Sequence, residues 1–252
     1  MKVRVFPEVR KKQVDMKITT VLFDLDGTLL PMEQETFVRS YFSKLVEWLA
    51  PYGYEAKPLV SGIWAATEAM VKNDGSRRNE VVFWETLRAN LGERVLADVP
   101  IFDRFYPARF DEVQRDCGFD ARANAAVKQI KKMGYRLALA TNPLFPSAAT
   151  ESRICWAGLD RADFDLVTTF ENASRSKPNP LYYTDVAQAL GVKNEECLMV
   201  GNDVEEDMIA ASAVGMRVFL LTDGLINRGG HDISVYPNGS FEELLAYVEG
   251  LD

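Results

Sequence analysis

One histidine, His231, is present in the whole 252-residue chain. That scarcity leaves no His-rich zinc site and makes any Ser-His-Asp triad depend on a single side chain. Cysteine is nearly as scarce: Cys117, Cys155 and Cys197 stand about forty residues apart without a C-x-x-C pair. Neither a disulfide framework nor a zinc knuckle is expected, and a reducing, cytoplasmic setting is. Positive charge is in deficit, 29 basic residues against 37 acidic ones for a net charge of −8. Such a field repels polyanions, so nucleic acid is not an expected partner. No apolar run approaches the roughly 18 residues of a membrane span, so no membrane is expected either. Met1 to Lys12 alternates charged with apolar residues and no hydrophobic segment follows, which is not the pattern of a signal peptide. The stretch beginning at Met16, MKITTVLFDLDGT, reads as a natural start, leaving residues 1–15 as an extension or arm. Hydrolytic chemistry in this chain must therefore rest on carboxylates.

What is present is a 47% hydrophobic chain, long enough for one large domain or two small ones. Ile18 to Phe23 is a β-branched and apolar run that stops at Asp24, and the pattern returns at Tyr135 to Ala140, Leu166 to Phe170, Cys197 to Val200 and Arg217 to Leu221. Between these five expected strands lie helical periods at Ala121 to Lys132, Ser147 to Ala157, Pro180 to Leu190 and Glu205 to Val214. The alternation predicts an α/β fold, a Rossmann-like parallel sheet with helices on both faces. From about Glu33 to Cys117 the alternation lapses into helices alone, starting near Phe37 and then over Leu59 to Lys72, Glu80 to Leu91 and Ile101 to Arg115. An all-α domain over residues 33–117, inserted after the first strand, is therefore expected, with the α/β core made of residues 1–32 and 118–252. Thirteen of the 27 aromatic residues lie between Phe37 and Phe110. They are expected to pack a separate core in the insertion, ahead of lining an aromatic substrate pocket.

Asp24-Leu25-Asp26-Gly27-Thr28 follows the first strand directly. Ligands of open α/β sheets bind beyond the carboxyl ends of strands, and an i, i+2 spacing lets two carboxylates flank one centre. Gly27 permits the sharp turn, and Thr28 offers a hydroxyl. A calcium loop would need further oxygen ligands at alternating positions, which Leu29, Leu30 and Pro31 do not supply. The segment VLFDLDGTLL resembles the first motif of the haloacid dehalogenase superfamily, whose members are mostly magnesium-dependent phosphohydrolases. Three further segments, in order, are similar to its remaining motifs. Leu137 to Asn142 ends a strand in the hydroxyl of Thr141, which the resemblance assigns to phosphoryl binding together with Asn142. By itself Thr141 would pass for a turn residue or helix cap. Ser176 to Pro180 carries Lys177, and Asn179 with Pro180 suits the start of a helix, where positive potential favours an anion. Met199 to Asp207 resembles the acidic fourth motif, with Asp203 and Asp207 one helical turn apart. Asn202 departs from the usual Gly-Asp order. An alternative alignment puts Asn202 at the ligand position, but magnesium favours the carboxylate of Asp203. Glu205 and Glu206 read as first-turn charges favoured by the helix dipole.

The resemblance implies a phosphatase that cleaves a small phosphorylated metabolite by two in-line transfers. Asp24 is implied as the nucleophile and Asp26 as the acid and base. Mg2+ is implied on Asp24, the Asp26 carbonyl and Asp203; Thr141, Asn142 and Lys177 are implied on the phosphoryl oxygens, and Asp207 on Lys177 or a metal-bound water. The insertion corresponds to an α-helical cap, expected to hinge near Leu30 to Gln34 and Cys117 to Asp120. A dehalogenase would lack the second aspartate. A sugar phosphomutase on the same core and a noncatalytic binding protein remain alternatives.

Overall fold

Successive side chains of a strand point to opposite faces, so an apolar run with every residue buried requires cover on both sides. The strand β1 (Thr20–Phe23) is such a run, with none of Val21, Leu22 and Phe23 exposed. The computed structural model describes residues 17–251. The expectations for residues 1–15 lie outside it. After β1 come α1 (Gln34–Leu49), α2 (Ala56–Val71), α3 (Asn79–Leu91), α4 (Arg94–Arg109) and a 3-10 segment, Phe110–Asp116. Then follow α5 (Ala121–Lys132), β2 (Arg136–Leu139), α6 (Ser147–Trp156), β3 (Leu166–Val167), α7 (Pro180–Leu190) and β4 (Cys197–Gly201). A π-type turn, Val204–Ile209, runs into α8 (Ala210–Ala213), and β5 (Arg217–Leu221), β6 (Asn238–Gly239) and α9 (Phe241–Glu249) complete the order.

The six strands form one parallel sheet in the order β3-β2-β1-β4-β5-β6. Val21 and Phe23 share an apolar cluster with Ala126 and Ile130 of α5 and Leu244 and Val248 of α9. Leu22 belongs to the opposite cluster, with Tyr182, Tyr183 and Val186 of α7 and Ala211 of α8. The expected two-sided α/β core is therefore the one observed. β6 is an addition, since Asn238-Gly239 has no apolar run and becomes a strand only by pairing with Leu220 and Leu221. α9 is another, although its start was legible: Ser240 and Glu243 form a reciprocal capping box.

The insertion is helical as expected, but its core is not separate. Phe37, Tyr41, Phe105 and Phe110 belong to the same apolar cluster as Val21 and Phe23. The link runs through rings of the α/β part: Phe37 meets Phe145 at 6.0 Å and Phe110 stacks on Trp156 at 5.0 Å. Packing these rings against the sheet layer removes further aromatic area from water. The fourth helix also starts earlier than the apolar spacing implied, at Arg94. The two crossings between insertion and sheet lie side by side, with Met32 bridged to Cys117 and the Gly118 amide donating to the Pro31 carbonyl at 2.7 Å. All three cysteines are free, and among the described residues no helix is long and apolar enough to cross a membrane.

Candidate active site

The chain leaves β1 on one side toward β2 and β3 and returns on the other side at β4, so the order reverses at β1 and opens a crevice beyond the strand ends. Register then determines what faces that crevice. Phe23 lies opposite both Leu139 and Val200, which carries Asp24, Thr141 and Asp203 to the same edge. The Asp24 amide donates to the Val200 carbonyl at 2.9 Å, and the Ala140 amide to the Phe23 carbonyl at 2.7 Å. One cavity is lined by Asp24, Asp26, Thr141, Asn142, Asp203 and Asp207. Lys177 reaches Asp24 from behind, so all seven side chains singled out in the sequence are brought together.

The Lys177 ammonium, 1% exposed, donates to Asp24 Oδ1 at 2.8 Å and to Asp207 Oδ1 at 2.6 Å. Burial opposes its charge, but the Asp207 and Asp24 carboxylates outweigh that and hold its pKa well above the ordinary lysine value. Burial pushes Asp207 up to about 7 against the pull of Lys177, and the negative charge of Asp24 adds to the rise. The Tyr183 hydroxyl also reaches Asp207 Oδ1, at 3.2 Å. The loop bearing Lys177 is held by the start of α7, where Asn179 accepts from the Leu181 amide at 3.0 Å and Pro180 takes the first helical position.

Asp24 Oδ2 accepts from the Thr28 hydroxyl at 3.0 Å; the same hydroxyl is 2.8 Å from Asn202 Oδ1. The Asn202 amide in turn donates to the Gly224 carbonyl at 2.6 Å. Asn202 thus ties the first and fourth motifs together, and its amide is already engaged. Gly27, at φ +85°, passes so close to it that a Cβ there would meet Asn202 Nδ2 at 2.5 Å. Asp203 caps the π-type turn, accepting from the Glu205 and Glu206 amides at 2.9 Å each, while its second oxygen takes the Arg228 guanidinium at 2.6 Å. The Thr141 carbonyl accepts from Thr168 and Tyr182 hydroxyls at 2.7 and 2.9 Å, and Asn142 Oδ1 accepts from the Lys177 amide at 3.2 Å.

The profile of the family described as "Hydrolase: haloacid dehalogenase-like hydrolase" matches residues 18–215. The chain belongs to that family. A curated relative, pyrophosphatase PpaX of Halalkalibacterium halodurans, is 28% identical over 203 residues, covering 80% of this chain and 82% of the relative. The same-named protein of Bacillus cereus is 27% identical over the same shares. Among solved structures, a HAD phosphatase from Thermococcus onnurineus aligns with a TM-score of 0.55 at 19% identity, over 92% of this chain and 99% of its own. A 2-haloacid dehalogenase from Pseudomonas syringae pv. Tomato aligns with a TM-score of 0.59 at 17% identity, over 92% and 98%. The fold is thus one that phosphatases and dehalogenases share, and the local chemistry must separate them.

Three charged residues at this haloacid dehalogenase-like site were not anticipated. Arg153 of α6, with no exposed surface, pairs with Asp26 Oδ2, and Asp26 Oδ1 is buried without a partner. Burial raises the Asp26 pKa, Arg153 opposes the rise and Asp24 adds to it. The signal was present: Arg153 lies four residues after Ala149 and three before Trp156, on the buried stripe of its helix. Glu206 is the second. It is not a solvated first-turn charge, because its Oε2 accepts from Asn142 at 3.1 Å and it lines the cavity. Arg228 is the third, brought in by a long loop whose Ile226 bridges Asp203; no motif or spacing marks it.

Among the described residues no three His, Cys, Asp or Glu side chains converge as a ready metal cage. The donors at hand are the carboxylates of Asp24 and Asp203, which line one cavity and offer oxygen alone. That set suits magnesium, which keeps waters and substrate oxygens in its shell rather than filling it with protein. Lys177 on Asp24 and Arg228 on Asp203 show that cations are drawn to both carboxylates.

Proposed function

We propose that this hydrolase cleaves small phosphate monoesters through a phosphoenzyme on Asp24. The observation that carries the proposal is the buried Lys177 ammonium 2.8 Å from Oδ1 of Asp24, which lines one cavity together with Asp26. The lysine aligns the nucleophilic carboxylate and leaves positive charge where phosphoryl oxygens would gather. An Asp24 oxygen attacks phosphorus, the ester P–O bond breaks, and the departing oxygen takes its proton from Asp26. In the second half Asp26 removes a proton from water, the water oxygen attacks phosphorus, and the bond to Asp24 breaks to release phosphate. Thr141 and Asn142 would bind the remaining phosphoryl oxygens, and Asp207 would hold Lys177. Magnesium bound by Asp24, the Asp26 carbonyl and Asp203 would neutralise phosphoryl charge.

A dehalogenase displacing halide needs no acid for its leaving group, so Asp26, with one buried oxygen unpartnered, favours phosphoester cleavage. The relatives named as pyrophosphatases favour phosphoryl transfer too. Phosphate release from a general phosphoester, with Asp24→Asn as control, tests the reading. Transfer to a second sugar without net release would instead favour the phosphomutase, and no turnover of any ester with magnesium present would overturn the proposal.

A further inference from the structure

Next to the catalytic cavity lies a second chamber between the helical insertion and the loop after β2. The two share Gln34, Leu144 and Phe145 as lining residues. Nine of the side chains that line it are aromatic, among them Tyr41, Phe42, Trp64, Trp84 and Tyr106. The walls brace one another. Tyr41 meets Phe145 at 5.3 Å, Phe42 meets Trp64 at 5.5 Å, and Trp84 meets Phe102 edge-on at 5.3 Å. Rings in mutual edge contact have few other rotamers available, so the space is held open rather than collapsed.

Among the described residues, the only charged one lining the chamber is Asp103, and no lysine or arginine lines it. Of the cations around it, Arg153 is committed to Asp26 behind the Phe145 ring and Arg228 to Asp203, while Arg39 stands outside in the adjoining groove, 3.9 Å from Glu35. Burial, and after it the charge of Glu171, raises the Asp103 pKa. The free volume of the chamber is about 150 Å³, the size at which an apolar protein cavity takes up a benzene ring. Access is in place as well: Trp64, 51% exposed, and Phe42 also line an open groove that passes Arg228.

We infer that the alcohol part of the substrate is an uncharged body the size of one aromatic ring, making the preferred substrate an aryl or arylalkyl phosphate monoester. The inference rests on the phosphohydrolase reading above. It sets this chain apart from a hydrolase of diphosphate or of a phosphorylated carboxylic acid, because the second anion of either would enter a cation-free chamber facing Asp103.

The experiment compares kcat/KM of the full chain, with magnesium, for 2-phenylethyl phosphate and ethyl phosphate. These are alkanol esters of similar leaving-group acidity that differ by the ring. The ring is expected to raise kcat/KM about tenfold or more, and phosphoglycolate and pyrophosphate are expected to fall at least about tenfold below 2-phenylethyl phosphate. Trp64→Ala, at an exposed rim where folding is little at stake, should narrow the ratio of the first two esters. Equal rates for those two, or a preference for phosphoglycolate or pyrophosphate, overturns the inference.

Acetyl phosphate separates the two levels. Its hydrolysis, lost in Asp24→Asn, tests the phosphohydrolase reading without using the chamber. If no ester is cleaved, that reading falls, and quenching of tryptophan fluorescence by 2-phenylethanol then judges the chamber alone. Binding weakened by Trp64→Ala supports it, and no saturable quenching overturns it.

Discussion

The guanidinium of Arg153 donates to the carboxylate of Asp26, two residues beyond Asp24. Its other two nitrogens have partners close by, Nε the Ala149 carbonyl at 3.2 Å and Nη2 the Thr150 hydroxyl at 3.3 Å, and its flat face lies 4.6 Å from the centre of the Phe145 ring. A buried cation persists only where such partners replace its water. The consequence is a fixed orientation for Asp26, which keeps 27% of its side chain open to the cavity.

Arg153→Met should therefore lower stability by about 3 kcal/mol, the usual cost of leaving one member of a buried pair alone. Urea unfolding measures this. Arg153→Lys should recover part of the stability but less of the activity, because an ammonium cannot hold Asp26, Ala149 and Thr150 at once in the fixed plane of a guanidinium. A loss under about 1 kcal/mol in the methionine variant would show that the pair does not hold the site.

Asp24→Asn should leave the circular dichroism unchanged and reduce turnover more than about a hundredfold, beyond what a positioned acid alone contributes. Asp26→Asn should slow alkyl esters more than nitrophenyl esters, whose leaving group needs little protonation. Equal losses on both ester types would contradict an acid role.

Chelation should stop turnover without unfolding the protein, and added magnesium should restore it, since the oxygen-only donors at Asp24 and Asp203 do not favour zinc. Full activity after exhaustive chelation would refute this.

Gly201 ends β4 directly beneath Asp207, and a Cβ there would stand 2.1 Å from Asp207 Oδ2 and 2.6 Å from its Cβ. Gly201→Ala should cost about 1–3 kcal/mol through displacement of that side chain. Gly250→Ala, where the nearest atom would be 3.5 Å away, serves as the neutral control in the same thermal melts.

Glu112 accepts from Arg109 and lies 3.2 Å from Lys44, which joins α1 to the end of α4. Its hydrogen bonds to Arg109, then to Lys44, lower its pKa from 4.5 to about 2. A depressed carboxylate contributes stability above its unfolded pKa and loses it as pH falls through the folded value. The difference in stability between wild type and Glu112→Gln should be constant above about pH 5 and vanish toward pH 2. A difference that does not change over that interval would remove the network from the account.

Most of the site was legible because each motif follows its own strand, and parallel strands in register deliver their ends to one edge. Asp24, Thr141 and Asp203 each follow a strand of the inferred sheet and Lys177 precedes the helix start at Asn179 and Pro180, but it was the resemblance of the ordered motifs that singled out Thr141 and Lys177. The side chains of Asn202 and Asp203 are both engaged, Asn202 by Thr28 and Gly224 and Asp203 by two amides and Arg228, so the preference for Asp203 rests on the carboxylate that magnesium favours. Glu206 escaped because a carboxylate in a first helical turn is ordinarily solvated, and only the π-type turn rotates it toward Asn142.

By itself, then, the sequence determined the alternation of strands and helices and the helical character of the insertion, local properties written in apolar period, capping residues and turn chemistry. The seven converging side chains were legible through the resemblance of four ordered motifs to those of the haloacid dehalogenase superfamily. Tertiary structure alone decided that the aromatics of the insertion share the sheet's core and also wall a chamber beside Asp26, and that Arg153 and Arg228 meet Asp26 and Asp203. Arg153 lies 127 residues from Asp26 in the chain. No local pattern encodes which distant partner a buried charge will find, because that depends on how whole layers pack.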